Sequence, residues 1–406
     1  MTLQRDQALK IGLLGIDAGI AAVVAAARRA GDTIVLACDV SDDSAWREII
    51  DAAPRAPVTD ELLDGRRCDV VFVGADGWND RRAEAVRLLV QAGQSLLLSQ
   101  PLSLSMLWAY ELDMIRIDSG ARLVPFLPDR LHPFITRLKT GIEAACGGGH
   151  PFGPVETISC ERRMVDRSRD AVLRHLARDA DLIRVLAGDP QRLSTLGAAG
   201  DAAWATLNVG FAGGLQIPVR WQVARGDQPG LTITVAHAAG TVTVTIPDGG
   251  TAWAWQEDPG GRPESVAFDW GMTLLEEVRG LLGPQGMPHT ARAIPPATWT
   301  DAARAIELAE TVPRSLAKGR AIDLHREEFS EIGTFKGTMA SLGCGIVLAA
   351  LAVLVLAALV GGISRQTGWE SGERIAAAWP AVVLTALVVF LGLQVLPLLV
   401  GGGRRP

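Results

Sequence analysis

The sequence predicts an α/β protein in three parts: an N-terminal doubly wound parallel sheet, a second α/β domain on a large, mostly antiparallel sheet, and a C-terminal transmembrane helical hairpin. Three observations predict it. Short apolar runs alternate with amphipathic stretches from residue 10 to 125, glycine-punctuated alternating strands follow between 205 and 250, and two long uncharged stretches end the chain. The expected boundaries are 1–125, 126–325, a juxtamembrane linker 326–338, a first span 339–363, a short loop 364–374 and a second span 375–403.

In the first part, KIGLLG (10–15), TIVLACDV (33–40), CDVVFVG (68–74) and SLLLS (95–99) are buried strands. Between them the alanine-rich 19–30, WREIIDAA and RRAEAVRLLVQAG have the helical period, the first closed by Gly31 and the last by Gly93. Strands alternating with helices at this interval form a right-handed parallel sheet, and ligands of such sheets sit at the carboxyl ends of the strands. In the second part, ATLNVGFAGG, LQIPVRWQVA, LTITVAHAAG and TVTVTIPDGG alternate as antiparallel strands with one wet face do.

Charge and cysteines exclude several classes. The net charge of -6 lacks the positive field that non-specific nucleic-acid binding requires, so no nucleic-acid partner is expected. Five scattered cysteines without a CxxC pair suit reduced thiols, not a disulfide framework or structural zinc, and no metal is expected. Only four of the basic residues are lysines, and none lies between residues 11 and 138, so a mechanism needing lysine in that stretch is excluded. The chain also has no GxxxxGK[ST], HExxH or GxSxG, and its one tyrosine, Tyr110, lacks a lysine four residues on.

A dinucleotide fingerprint would run G-x-G-x-x-G from the end of the first strand. Here those positions are Gly15, Asp17 and Ile20, with Gly19 one residue early. Asp17 puts a negative charge where two phosphates would lie. Asp39 closes the second strand, where it would suit a ribose 2′-hydroxyl and favour NAD over NADP, although acidic residues are equally common in turns. The expectation is a nucleotide-binding fold with a weakened phosphate loop.

From Met339 to Ile363 and from Ile375 to Gly403 there is no charge, and both stretches exceed the roughly 20 residues a spanning helix needs. Apolar residues on every face lack the polar stripe of a soluble helix. Trp369 and Trp379 flank the start of the second stretch as interfacial anchors do. Basic residues gather before the first span (Arg314, Lys318, Arg320, Arg326, Lys336) and in the tail (Arg404, Arg405). Both termini are therefore expected on the cytoplasmic side of the inner membrane, with the lipid bilayer as partner.

The order of these features resembles the family named for glucose-fructose oxidoreductase, inositol dehydrogenase and MocA (Gfo/Idh/MocA). The matching pieces are IGLLGIDAG, the strand ending in Asp39, CDVVFVGADGWNDRRAEAVRLLVQAG followed by LLLSQPLSLS, LRHLARDADLIRVLAG, and DAARAIELAETVPRSLAKGRAIDL. The resemblance implies a Rossmann domain, a second α/β domain, and a cleft between them for NAD and substrate. It puts Gly15, Asp17, Gly19, Asp39, Gly74 and Pro101 at the cofactor. It also implies a homo-oligomer through the open second sheet.

The catalytic residues of that family do not carry over. Its members have a lysine in an E-K-P turn, where this chain has Ser99-Gln100-Pro101. Its aspartate and histidine, aligned through Asp181, fall on Arg174 and Arg178, and arginine stays protonated at pH 7. His175 and Asp179 would reach the lost positions only by a one-residue shift, which turns Asp181 and Leu182 away. On this alignment the cleft is lined by Asp76, Gln100, Arg130, Arg174, Arg178 and Asp181, with Arg174, Arg178 and Asp181 on one helical face. They form either a solvated Arg/Asp face or a pocket for an anionic small molecule. Three readings stay open: a catalytically degenerate relative kept for nucleotide or anion binding or for scaffolding, an active NAD-dependent sugar or polyol oxidoreductase with a non-standard proton path, and a structural subunit of a membrane complex.

Overall fold

The structure is a computed structural model. It describes residues 8–40, 67–148, 153–196, 202–250, 252–282 and 293–324, and scattered positions such as 46, 62 and several between 355 and 368. The helix expected over 46–53 lies outside these residues except at Trp46. The spans 339–363 and 375–403 also lie outside them, apart from a few helical positions from Val355 to Ile363. Among the described residues no helix is long and apolar enough to cross a membrane. The chain divides into two compact units, Met1–His325 and Arg326–Pro406.

The first sheet holds β1 (Lys10–Leu14), β2 (Thr33–Cys38), β3 (Val70–Val73), β4 (Leu96–Ser99) and β5 (Leu123–Phe126). Its order is β2-β1-β3-β4-β5, all parallel, so the topological switch falls between β1 and β3. The helices here are α1 (Ala18–Arg29), α2 (Asp80–Gln91) and α3 (Met106–Ser119). Alternate strand residues point to opposite faces, and both are covered. Ile11, Leu13, Phe72, Leu97 and Val124 pack on Ile20, Val23 and Val24 of α1. Leu14, Val71, Val73, Leu96 and Leu98 pack on Val86, Leu89 and Val90 of α2 and Trp108 and Leu112 of α3. Each such buried side chain contributes about 1.5–3 kcal/mol of apolar transfer.

After a 3-10 turn (Pro128–Leu131) and α4 (Pro133–Cys146), the chain enters a nine-stranded sheet. Its strands are β6 (Val155–Met164), β7 (Pro190–Leu196), β8 (Asn208–Gly213), β9 (Val219–Arg225), β10 (Gly230–His237), β11 (Gly240–Pro247), β12 (Ala252–Asp258), β13 (Glu264–Ala267) and β14 (Ile322–Asp323). The order is β13-β12-β11-β10-β6-β9-β8-β7-β14, antiparallel except for β6 with β9, so the sheet is mixed. One face carries Leu231, Ile233, Val235, Val242, Val244 and Ile246 into the core. The other carries Thr232, Thr234, Thr241, Thr243 and Thr245, none of them buried.

The remaining helices are α5 (Arg169–Ala187), the single turn α6 (Ala202–Ala205), α7 (Trp270–Leu282) and α8 (Trp299–Lys318). α5 covers the inner face of the second sheet with Leu176, Ala180 and Ile183. α8 serves both halves, with Trp299, Ala302 and Ile306 in the first core and Leu308, Ala309 and Val312 in the second. α7 returns to the first sheet and packs Leu274, Leu275 and Val278 beside α1. These elements hold the carboxyl ends of β1, β3 and β4 against the start of α5.

Candidate functional site

At the switch point the backbone follows the dinucleotide-binding pattern. Gly15 has φ +68° and its amide donates to the Cys38 carbonyl, turning the chain sharply out of β1. Gly74 ends β3 in contact with this turn, and a Cβ on it would collide with the Ile16 backbone. Gly19 lies in the first turn of α1, where a Cβ would meet the Phe126 ring.

The side chains depart from the pattern. Asp17 caps α1: its Oδ1 accepts from the Ile20 amide at 2.9 Å and its Oδ2 from the Ala75 amide at 2.7 Å. The Ile20 amide is one of the donors that a helix N-terminus would offer an anion, and the Ala75 amide, after β3, adds a second donor beside it. Asp39, with φ +51°, meets Arg82, whose Nε donates to Oδ2 at 2.8 Å and whose Nη2 lies 2.7 Å from the same oxygen. Arg82 also donates from Nη1 to the carbonyls of Gly74 (3.1 Å) and Asp76 (2.5 Å), and its side chain is 3% exposed. A Cβ on Gly15 would collide with its guanidinium. Burial pushes the Asp76 carboxyl up, the Asp17 charge adds to this, and Arg82 opposes it.

Arg82 is absent from the residues that sequence reasoning placed at the site. Its signal was present: Arg82, Val86, Leu89 and Val90 share the buried stripe of α2, where a lone arginine needs partners.

At the second half of the cleft, β4 ends in Ser99 and a cis Gln100-Pro101 peptide. Gln100 is buried, and its Nε2 has no hydrogen-bond partner among the described residues. Arg174 reaches this turn from the first stretch of α5, donating from Nη1 to the Pro101 carbonyl at 3.2 Å and from Nε to Asp170 at 2.6 Å. Arg178, one turn later, lies 4.0 Å from Asp129. Both arginines are partly exposed. Burial raises the Asp129 carboxyl against the pull of Arg178.

Asp181 does not join them. It is buried and takes two bonds from Arg130, Nη2 to Oδ1 at 2.6 Å and Nε to Oδ2 at 3.0 Å, while Arg130 also reaches Asp301 at 3.2 Å. The expected arginine-aspartate face is therefore divided into two partly exposed cations and one buried ion pair. Asp179 points into the second core and pairs with Arg162, accepting also from Trp221 Nε1 at 2.8 Å. His175 is partly buried with its Nδ1 unpartnered among the described residues. Burial, then Arg162, lowers its pKa against the pull of Asp179. Among the described residues no group of three or more His, Cys, Asp or Glu side chains could hold a metal.

No family profile and no curated protein matches the sequence. Solved structures do. An aldose-aldose oxidoreductase from Caulobacter crescentus, complexed with glycerol, superposes with TM-score 0.60 at 14% identity, covering 78% of this chain and 100% of that one. Biliverdin reductase from Synechocystis sp. PCC 6803, complexed with biliverdin and NADP+, gives 0.56 at 12%, covering 76% and 98%. An oxidoreductase from Agrobacterium radiobacter, complexed with NAD+, L-tartaric acid and magnesium, gives 0.59 at 14%, covering 78% and 98%. The fold, a parallel Rossmann-like sheet followed by a second mixed sheet, is shared with these oxidoreductase structures.

Proposed function

We propose that this chain is a membrane-anchored protein of the Gfo/Idh/MocA-type fold that has given up hydride transfer and uses the cleft beside Gln100 to bind an anionic small molecule. One observation carries the reading: Arg174 bonds to the Pro101 carbonyl, so a permanent cation stands at the turn where relatives keep their proton-exchanging lysine. Gln100 and Arg178 complete a set that donates hydrogen bonds and accepts no proton at pH 7. Oxidising an alcohol needs a group that takes its proton, worth about 10² to 10⁴ in rate. A carboxylate or phosphate needs donors, which this set supplies.

The test is calorimetric titration of the full chain with carboxylate and phosphate metabolites. Wild type should bind at least one anion, and the Arg174→Ala/Arg178→Ala double variant should lose it. Equal binding by both proteins overturns the reading.

Asp129 favours a second reading, an active NAD-dependent oxidoreductase with a non-standard proton path. Its partly exposed carboxyl lies 4.0 Å from Arg178 and is pushed upward by desolvation against the pull of that cation, and a carboxyl group can exchange a proton. Nicotinamide reduction on a polyol or sugar, abolished by Asp129→Asn, would favour it over the first.

The anchor is inferred from the uncharged runs 339–363 and 375–403, with both termini cytoplasmic. Val355, Leu356, Leu359 and Ile363 are helical and more than half exposed, which suits lipid around them. Flotation of the full chain with liposomes tests this, and loss of flotation on truncation after residue 330 is the expected control. The threonine-bearing outer face of the second sheet is the surface we propose for a homo-oligomer.

A further inference from the structure

We infer that the crevice in which a sheet of this topology holds a dinucleotide is filled from within: the Asp17 carboxylate stands where a phosphate would meet α1, and the Arg82 guanidinium stands between Gly15 and Asp39 where the adenosine ribose would lie. In dinucleotide-binding sheets the pyrophosphate rests on the amides at the start of the first helix, and an acidic residue ending the second strand bonds the ribose 2′-hydroxyl. Both receptors are present here, and both are bonded to the chain itself. The Ile20 amide at α1 and the neighbouring Ala75 amide donate to the two oxygens of Asp17. Asp39 is held by Arg82 through its carboxylate and, at 3.2 Å, through its carbonyl.

The charges make the filling self-consistent. Asp17 supplies the anion that the helix terminus favours, and Arg82 supplies the cation that Asp39 favours. A dinucleotide would bring two further negative charges next to Asp17 and Asp76, and would have to displace a guanidinium that is 3% exposed. The remaining bonds of Arg82, to the Gly74 and Asp76 carbonyls, tie it to the turn after β3. No rearrangement of solvent alone empties the crevice. Asp39 becomes fully available only when Arg82 leaves its Oδ2, and the Ile20 and Ala75 amides only when Asp17 leaves them. NAD and NADP therefore do not fit the residues as they stand, and the reading through Asp129 requires that Asp17 and Arg82 first move aside.

The test uses the detergent-purified full chain titrated with NADH and NADPH, followed by nucleotide fluorescence and calorimetry. Wild type should give no saturable binding. Arg82→Ala, and more strongly Asp17→Gly/Arg82→Ala, should gain affinity by about tenfold or more, the scale of one charge-assisted hydrogen bond released from competition. Circular dichroism and melting check that each variant folds. Should Arg82→Ala not fold, Arg82→Gln removes the charge while keeping side-chain bulk, and should still gain. Saturable wild-type binding overturns the inference, and so does a folded double variant that binds no better than wild type. The anion test at Arg174 and Arg178 uses other ligands and other variants, so either idea can fail alone.

Discussion

Arg130 and Asp181 form a two-pronged ion pair at 2.6 and 3.0 Å, with both side chains almost wholly shielded from water. Arg130 sits on the 3-10 turn after the first sheet and Asp181 on α5 over the second, so the pair joins the two halves of the first unit. Removing Asp181 leaves Arg130 buried with Asp301, at 3.2 Å, as its remaining carboxylate partner. Asp181→Ala should therefore lower stability by about 3 kcal/mol, the lower end for a broken buried pair, read as a shift in the urea midpoint. Arg174→Ala removes a partly exposed cation and should cost no more than about 1 kcal/mol. Equal effects from the two variants would contradict the separation of Asp181 from the exposed arginines.

Gly74 and Gly31 predict a contrast in kind. A side chain at Gly74 would enter the Ile16 backbone, which cannot move without displacing the turn after β1. Gly31 has open space around its Cβ position, and only its φ of +89° opposes a side chain. Gly74→Ala should cost about 2 kcal/mol or more through forced backbone shifts, and Gly31→Ala about 1 kcal/mol through the left-handed conformation alone. Thermal melts of the two variants decide it.

Trp221 and Asp179 predict a loss that packing alone does not account for. The indole Nε1 donates to Asp179 Oδ2 at 2.8 Å, and Arg162 holds the same carboxylate. Trp221→Phe keeps most of the apolar volume and removes one donor from a buried charge. It should destabilise by roughly 1.5–3 kcal/mol. Paired with Asp179→Asn in a double-mutant cycle, the two changes should be non-additive. Additive losses would mean the indole contributes packing only.

Four of the five parallel strands were legible because each carries a short apolar run, which a sheet covered on both faces requires; β5, where Pro125 breaks the apolar run, was not among them. β6 was not legible. Ile158, Cys160, Arg162 and Met164 are the buried residues of that strand, and Arg162 interrupts the apolar alternation that marks a strand. Its partner Asp179 is on another element, so local sequence gives no sign that the charge is matched. Arg82 shows in the sequence as a charge in the buried stripe of α2, but its partners do not: only the fold brings Asp39 and Gly74 to it. Arg174 and Asp181 do share a helical face, but seven residues move the chain about 10 Å along the axis, from the open cleft to beneath the turn carrying Arg130. Periodicity reports direction around a helix and says nothing of depth along it.

His132 predicts a pH dependence. It is fully buried, its ring stacks on Trp253 at 3.9 Å, its Nδ1 accepts from the Phe134 amide, and the Val266 backbone opposes the effect of burial only in part. Burial lowers its pKa from 6.5 to about 4. The folded protein therefore refuses a proton that the unfolded chain accepts below pH 6.5. The contribution to stability is complete above that value and is lost as pH falls from 6.5 towards 4, on the order of 3 kcal/mol in total, most of it by pH 4.5. Denaturant midpoints at pH 7.5 and pH 4.5 should differ less in His132→Gln than in wild type by about this amount. The glutamine keeps a side-chain acceptor for the Phe134 amide, so lost capping does not enter the comparison. An unchanged pH slope in the variant would mean that the imidazole is protonated, or reached by water, in the folded protein.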